Sequence, residues 1–412
     1  MAANANASSS VRRWLQWRLA GERQGNSALP GDPGPLAAEL ATLPGAALLA
    51  EIRRQRIAAV LAPDRHWLMA RPALAPLVAG LQRLHQRDTR GALALQHLTL
   101  GVLALFAEAG LPVLVLKGIP LALQTCGSAS ARGRGDLDLL VPPQQLPAAV
   151  ALLEAHGFRR PFGLFPLDLG SFWGRYSRWA GYELSLCRTG PAGREWIDLH
   201  WQLAPVHQPL PAFAELWARC AHLRLQGQPL PTLQLVDAFR FAAVHAAKDD
   251  WHSLRNLVDL DRLARQLPAA AHTALRRQRL LRLSAGVAHA ATGGPELLSL
   301  CWPVPLGVRW AVALSHRTQA LPAPPQPPPG LWSFRAWLVM LLRRAALSRH
   351  PIDWLRMVLY FILLPAAFND PITGADRGLP AMLRARWRRL GERRWPAVSG
   401  SSPASSRSAP GP

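Results

Sequence analysis

The chain has 412 residues, half of them hydrophobic and 17% charged, with a formal net charge of +22 at neutral pH. That balance excludes a disordered chain and allows two or three compact units with sizeable cores, while the basic excess permits contact with nucleic acid, nucleotides or an anionic membrane surface. Only Lys117 and Lys248 among the 47 basic residues are lysine. This arginine skew is of the kind that a GC-rich coding bias produces, so it weakens charge as an argument for nucleic acid. It also singles out the two lysines, because a compact ammonium is not interchangeable with a planar guanidinium.

The four cysteines, Cys126, Cys187, Cys220 and Cys301, have no metal-ligand spacing, which argues against a zinc site. The N-terminus lacks the apolar stretch of a signal peptide. The most apolar run near the other end, Met357 to Phe368, contains Pro365 and is shorter than the ~20 residues needed to span a bilayer. The expected location is cytoplasmic, with reduced thiols.

In chain order, residues 1–35 are small, polar and Gly/Pro-rich toward their end, and are expected to be poorly ordered. Residues 36–110 form a helical region: Leu36–Leu61, Pro76–Leu84 and Ala92–Ala109 carry apolar residues at helical spacing, and Gly110-Leu111-Pro112 ends the last helix. A core of mixed strands and helices follows over 111–205. Val113–Leu116 reads as a short buried strand, Lys117-Gly118 as a turn and Ile119–Gln124 as one or two helical turns. Cys126–Gly135 reads as a flexible segment bearing Arg132 and Arg134, and Asp136–Val141 as a second strand. Pro142-Pro143 breaks the chain before a helix over Leu146–His156, and Phe158 opens a further strand. Arg160–Ala180 reads as an aromatic loop; Trp173, Arg175, Tyr176 and Arg178 either face a substrate or plug the core. Gly181–Cys187 and Trp196–Trp201, with a turn at Thr189–Gly193, form a β-hairpin. From Pro211 the pattern is helical, giving a helical domain over 206–320 in which His245, Lys248 and His252 share one helix face. Residues 321–330 are a stiff proline-rich connector. Residues 331–396 are a second helical region, either a closing helical hairpin or a surface for peripheral membrane or protein contact. Residues 397–412 are a Ser/Pro/Ala-rich tail expected to be disordered.

The chemistry concentrates in the alternating runs. In a strand, Asp136 and Asp138 project to one face while Leu137 and Leu139 enter the core. Adjacent carboxylates repel unless water or a cation neutralises them, and Mg²⁺ is held by one or two carboxylates plus substrate phosphates. A solvated strand end accounts for the pair equally well. In Trp196-Ile197-Asp198-Leu199-His200-Trp201, Asp198 and His200 share a face. If this hairpin pairs with the 136–141 strand, Asp198 joins the other two acids in a three-carboxylate cluster suited to two-metal phosphoryl or nucleotidyl transfer.

Leu116-Lys117-Gly118, the run from Arg132 through Gly135-Asp136-Leu137-Asp138-Leu139-Leu140-Val141, and Ile197-Asp198-Leu199-His200-Trp201 together resemble the bacterial nucleotidyltransferase family of uncharacterised members within the DNA polymerase β-like superfamily. The resemblance implies an α+β fold, a small mixed-sheet core embedded in a mostly helical chain. Asp136 and Asp138 then match the metal-binding pair and Asp198 the third acid, with Mg²⁺ or Mn²⁺ as cofactor. Lys117 and Gly118 match the phosphate-side turn, although the superfamily commonly has Gly-Gly or Gly-Ser there. Arg132 and Arg134 would stabilise charge on the triphosphate. His200, His245 and Lys248 are candidates for the acceptor or lid side, but this chain has Asp249 where the family usually carries a second histidine.

The implied activity is transfer of a nucleoside monophosphate from an NTP, ATP among them, to an acceptor that is a small molecule, peptide or sugar, with release of pyrophosphate. Two other readings stand beside it. One is an inactive relative that binds nucleotide or a partner. The other is a charge-driven nucleic-acid-binding protein, which the arginine skew makes the less favoured.

Overall fold

In the computed structural model, the described residues are 2–24, 33–133, 135–160, 174–175, 178–179, 181–191, 193–204, 210–303 and 306–320, with 355 and 380. Six strands form one mixed sheet in the order β3-β4-β2-β1-β6-β5. The strands are β1 (Leu114–Val115), β2 (Leu137–Leu140), β3 (Glu183–Gly190), β4 (Gly193–His200), β5 (Ala221–Leu225) and β6 (Gln228–Thr232). Helices surround the sheet, as expected of an α+β chain. Before the sheet come α1 (Ala2–Arg23), α2 (Gly34–Ala41), α3 (Gly45–Gln55), α4 (Ala58–Leu61), α5 (Arg65–Met69) and α6 (Ala75–Glu108). Within it lie α7 (Ile119–Cys126), α8 (Leu146–Ala155) and α9 (Phe213–Trp217). After it come α10 (Leu235–Lys248), α11 (Leu254–Ala264), α12 (Ala269–Arg276), α13 (Arg279–Thr292), α14 (Pro295–Cys301) and α15 (Leu306–Ala320).

Period-2 alternation gives the sheet two unlike faces. Leu137, Leu139, Leu184, Leu186, Ile197 and Leu199 point to one side. There they bury against Leu95, Leu98, Val102 and Phe106 of α6 and Leu146, Val150 and Leu153 of α8. The residues between them, Asp138, Glu183, Ser185, Asp198 and His200, therefore all belong to the opposite face. A second apolar cluster, built from α1, α3, the start of α6, α10, α11 and α13, makes up the helical body and takes in Leu114, Leu116 and Leu140 from the sheet.

Several expectations change. The segment 1–35 is not featureless: α1 buries Val11, Trp14, Leu15 and Leu19 completely. Composition pointed to disorder because Ala, Asn and Ser dominate its first turns, while the apolar residues that dock it come only later. Pro76–Leu84 and Ala92–Ala109 are parts of the single helix α6, because the polar stretch between them continues the helix on its solvent side. The expected all-helical stretch after Pro211 contains β5 and β6, joined at Gln226 and Gly227. Both residues have positive φ (51° and 82°), as a two-residue hairpin turn with the sheet's twist requires. Pro229 and Pro231 masked β6 in the sequence; it pairs with β1 through Val115 and Thr232. Of the strand expected from Phe158, the described residues carry one bridge, between Arg159 and Cys187.

Taken singly, α6 is the one helix among the described residues long and apolar enough to cross a bilayer. Its apolar stripe is spent on the sheet and the helical body. The expected connector, the 331–396 region and the tail lie outside the described residues apart from 355 and 380, as do Arg134, Trp173 and Tyr176.

Candidate active site

The parallel pairing of β2 with β4 sets Asp138 opposite Asp198 and Leu140 opposite His200. Antiparallel pairing of β3 with β4 sets Glu183 opposite His200 and Ser185 opposite Asp198. Two registers thus bring five polar side chains onto one face of three strands. Asp136, just before β2, is exposed at the rim. The three acids are therefore not drawn into one closed set, and no three His, Cys, Asp or Glu side chains converge on a metal position among the described residues.

Asp138 is fully buried. Its Oδ1 accepts from Lys117 Nζ at 2.8 Å and lies 3.3 Å from His200 Nε2. Burial by itself would push this carboxyl up, but the Lys117 ammonium and the His200 ring override it and hold the group well below the usual carboxylate range. Its second oxygen, Oδ2, is buried with no hydrogen-bond partner. Across the register, Asp198 accepts from Ser185 Oγ at 2.7 Å. Burial, then the neighbouring charges of Asp138 and Glu183, push its carboxyl up to about 6.

His200 Nε2 also lies 3.4 Å from Glu183 Oε2. With carboxylates on both sides, that nitrogen must carry the proton. Glu183 continues outward to Lys248: Oε1 lies 3.5 Å from Nζ, which also donates to the Tyr182 hydroxyl at 3.2 Å. Burial would raise the Glu183 carboxyl, but His200 and Lys248 lower it. The result is a row of five side chains, Lys117, Asp138, His200, Glu183, Lys248, in which each carboxylate lies between two nitrogen groups. The chain's only two lysines are its two ends.

The remaining candidates are arranged around this row. Gly118 precedes α7 with φ +77° and ψ −109°, a conformation that favours glycine. A Cβ there would meet Leu95 and, at 3.9 Å, the backbone oxygen of Asp136, so the α7 N-terminus lies beside the acidic rim. His245 faces the same region. Burial, then the positive charges of Lys117 and Lys248, lower its pKa well below the ordinary value, which keeps the ring neutral. Its Nε2 is 3.8 Å from Asp249 Oδ2. Arg132 is engaged elsewhere, pairing with Asp259 of α11 at 2.7 Å. Of the aromatic loop, the Arg178 backbone oxygen accepts from Trp201 Nε1 at 2.7 Å, tying that segment to the end of β4.

Sequence reasoning missed Glu183, Ser185 and Tyr182. The usable signal was Glu183 and Ser185 at i and i+2 in a strand expected to pair with the Asp198–His200 run. Antiparallel register then carries both to the acidic face.

A family model described as uncharacterised nucleotidyltransferase matches residues 45–293. No curated protein and no solved structure matches the chain. The matched range runs from α3 to the end of α13. It contains the whole sheet, both lysines and every member of the charged row, and covers more than half the chain. The chain belongs to the uncharacterised nucleotidyltransferase family.

Proposed function

We propose that the protein transfers a nucleoside monophosphate from an NTP to an acceptor, releasing pyrophosphate, with a divalent cation such as Mg²⁺ at the acidic face. The observation that carries this reading is the pairing of Asp138 with Asp198 in adjacent strands while Asp138 Oδ2 is buried and lacks a partner. An orphaned carboxylate oxygen beside a second carboxylate suits a hard cation, whose remaining positions phosphate oxygens and water fill. Asp138 and Asp198 would hold it, with Asp136 at the rim. When bound, the ion would supply Lewis-acid stabilisation of the phosphoryl oxygens.

The chain's own groups account for the rest. Lys117 offsets the charge of Asp138 and presents an ammonium toward the donor's phosphates, next to the α7 N-terminus, where backbone N–H groups favour an anion. Asp198, opposite Asp138 across the register, is placed to assist deprotonation of an acceptor hydroxyl. His200, held between Asp138 and Glu183, orients Asp138. Glu183 links that orientation to Lys248 on α10, so the helical body and the sheet share the site. Of the sequence candidates, Arg132 supports the loop before β2 through its pairing with Asp259. His245, kept neutral, is suited to accept or donate a hydrogen bond on the acceptor side.

The test is turnover with each of the four NTPs and Mg²⁺, read as pyrophosphate release against a panel of hydroxyl acceptors. Asp138→Asn should retain its circular dichroism and lose turnover by about 100-fold or more, the scale of a lost electrostatic stabiliser. Undiminished turnover in that variant would sink the reading.

A further inference from the structure

A cavity of about 250 Å³ opens between α3, α4, α6, the loop before β2 and the start of α11. Among the described residues its polar lining is five arginines, Arg53, Arg56, Arg87, Arg132 and Arg255, against one carboxylate, Asp88. An arginine-rich surface is ordinary in this chain; convergence of five from four separate segments on one concavity is not. Arg53, Arg56 and Arg87 are exposed. No ion pair joins these three to a carboxylate among the described residues, whereas their neighbour Arg54 pairs with Glu51 at 2.6 Å. Arg56 ends α3 in the left-handed region, with φ +55° and ψ +40°. Helix ends of this kind usually take glycine, so the fold accepts an unfavourable residue there and gains a guanidinium at the cavity wall. Burial, then the charges of Arg132 and Arg56, push the Arg255 pKa down to about 9, with the carboxylates of Asp259 and Asp88 opposing the shift.

We propose that this cavity binds a phosphoryl or diphosphoryl group, gripped by Arg53, Arg56 and Arg87 together with Arg132 and Arg255. Planar guanidiniums suit phosphate because each offers two parallel N–H donors. The volume falls below the roughly 300–1,000 Å³ of sites for drug-sized ligands, so it admits a phosphate chain rather than a whole nucleotide. The cavity is tied to the acidic face through the loop before β2. Arg132 stands four residues before Asp136, and a Cβ on the intervening Gly133 would lie 3.2 Å from Asp88 in the cavity wall. The phosphoryl group belongs either to the NTP donor or to a phosphorylated acceptor. Either source uses the same chemistry, and the anion site does not depend on transfer taking place.

The test is calorimetric titration of the full chain with inorganic pyrophosphate in metal-free buffer. One pyrophosphate per chain is expected, with affinity falling about tenfold or more in Arg53→Gln/Arg56→Gln/Arg87→Gln. These residues are exposed, so the variant should keep its circular dichroism; the single change Arg87→Glu serves if it does not. Arg224→Gln, an exposed arginine on β5, should leave pyrophosphate affinity within about twofold, since it lines no part of the cavity. Unchanged affinity in both arginine variants, no binding by the unmodified chain, or an equal loss in Arg224→Gln would each overturn the proposal. Repeating the titration with saturating NTP and Mg²⁺ identifies the source. Displacement assigns the cavity to the donor's phosphates, and undiminished binding assigns it to a phosphorylated acceptor. If no NTP binds at all, the transferase reading fails while the pyrophosphate result still stands.

Discussion

At the scale of single residues, Asp138 and Lys117 depend on each other. A carboxylate with no exposed surface is tolerable because an ammonium lies 2.8 Å away and a histidine N–H sits beside it. Lys117→Met would leave that charge buried with His200 as its main partner, at a cost of about 3 kcal/mol, the lower end for broken buried pairs because Lys117 is itself partly exposed. Adding Asp138→Asn to that variant should restore most of the loss, since the stranded charge goes with it. Denaturant midpoints for the two single variants and the double variant measure this coupling; strictly additive losses would show that the pair does not interact. The alternation around Asp138 and Asp198 was enough to place both on one face from sequence. Glu183 was not legible in the same way, because its position depends on the register between two strands, which no local pattern states. Lys248 was noticed for being a lysine, but its partners, Glu183 and Tyr182, lie more than sixty residues upstream.

At the scale of elements, α1 shows where composition misleads. Its Trp14 indole N–H donates to Asp64 Oδ2 at 2.7 Å, and Arg18 approaches the other oxygen at 3.4 Å. Trp14 and Trp17 gather around Trp67. The sequence of α1 has the apolar spacing for this, but its partners are spread over α3 to α5 and α13. The β5–β6 hairpin was hidden for a different reason: prolines in β6 read as breakers, yet the strand needs few ladder N–H groups there. Apart from the strand expected at Phe158, the described helices and strands of the 113–200 core, by contrast, followed from periodicity, because most are bounded by Gly or Pro. Docking of α1 carries a pH signature. Burial pushes the Asp64 carboxyl up to about 6, even with Trp14 and Arg18 opposing the shift. Below about pH 4 both folded and unfolded chains hold this proton. Between about pH 4 and 6 only the folded chain holds it, so stability falls as pH rises, and above 6 the loss is complete at about 3 kcal/mol. Asp64→Asn escapes that loss while keeping an acceptor for Trp14. The variant's midpoint should therefore gain on the wild type as pH rises from 4 to 7, other titrating groups cancelling in the comparison. A difference that does not vary with pH would remove Asp64 as the cause.

At the scale of the whole molecule, α6 joins two apolar cores. Its first turns place Leu77, Val78 and Leu81 in the helical body, and its later turns place Leu95, Leu98, Val102 and Phe106 against the sheet. The charged row makes a second link, since Lys248 of α10 grips Glu183 of β3. The proposed site, with its acids on the sheet and its lysines on either side, needs these parts to hold together. Leu81→Ala removes a nearly inaccessible side chain on the body side and should cost about 2–5 kcal/mol; Phe106→Ala does so on the sheet side at about 3–5 kcal/mol. If α6 couples the cores into one cooperative unit, each substitution lowers the opening free energy of both regions equally. Hydrogen exchange resolved by peptide reads this directly, following 137–140 and 193–200 for the sheet and 279–292 for the body. Equal losses in both regions for both variants are expected. Losses confined to the mutated side would mean that the sheet and the body open independently, and that Lys248 reaches Glu183 only while both happen to be closed.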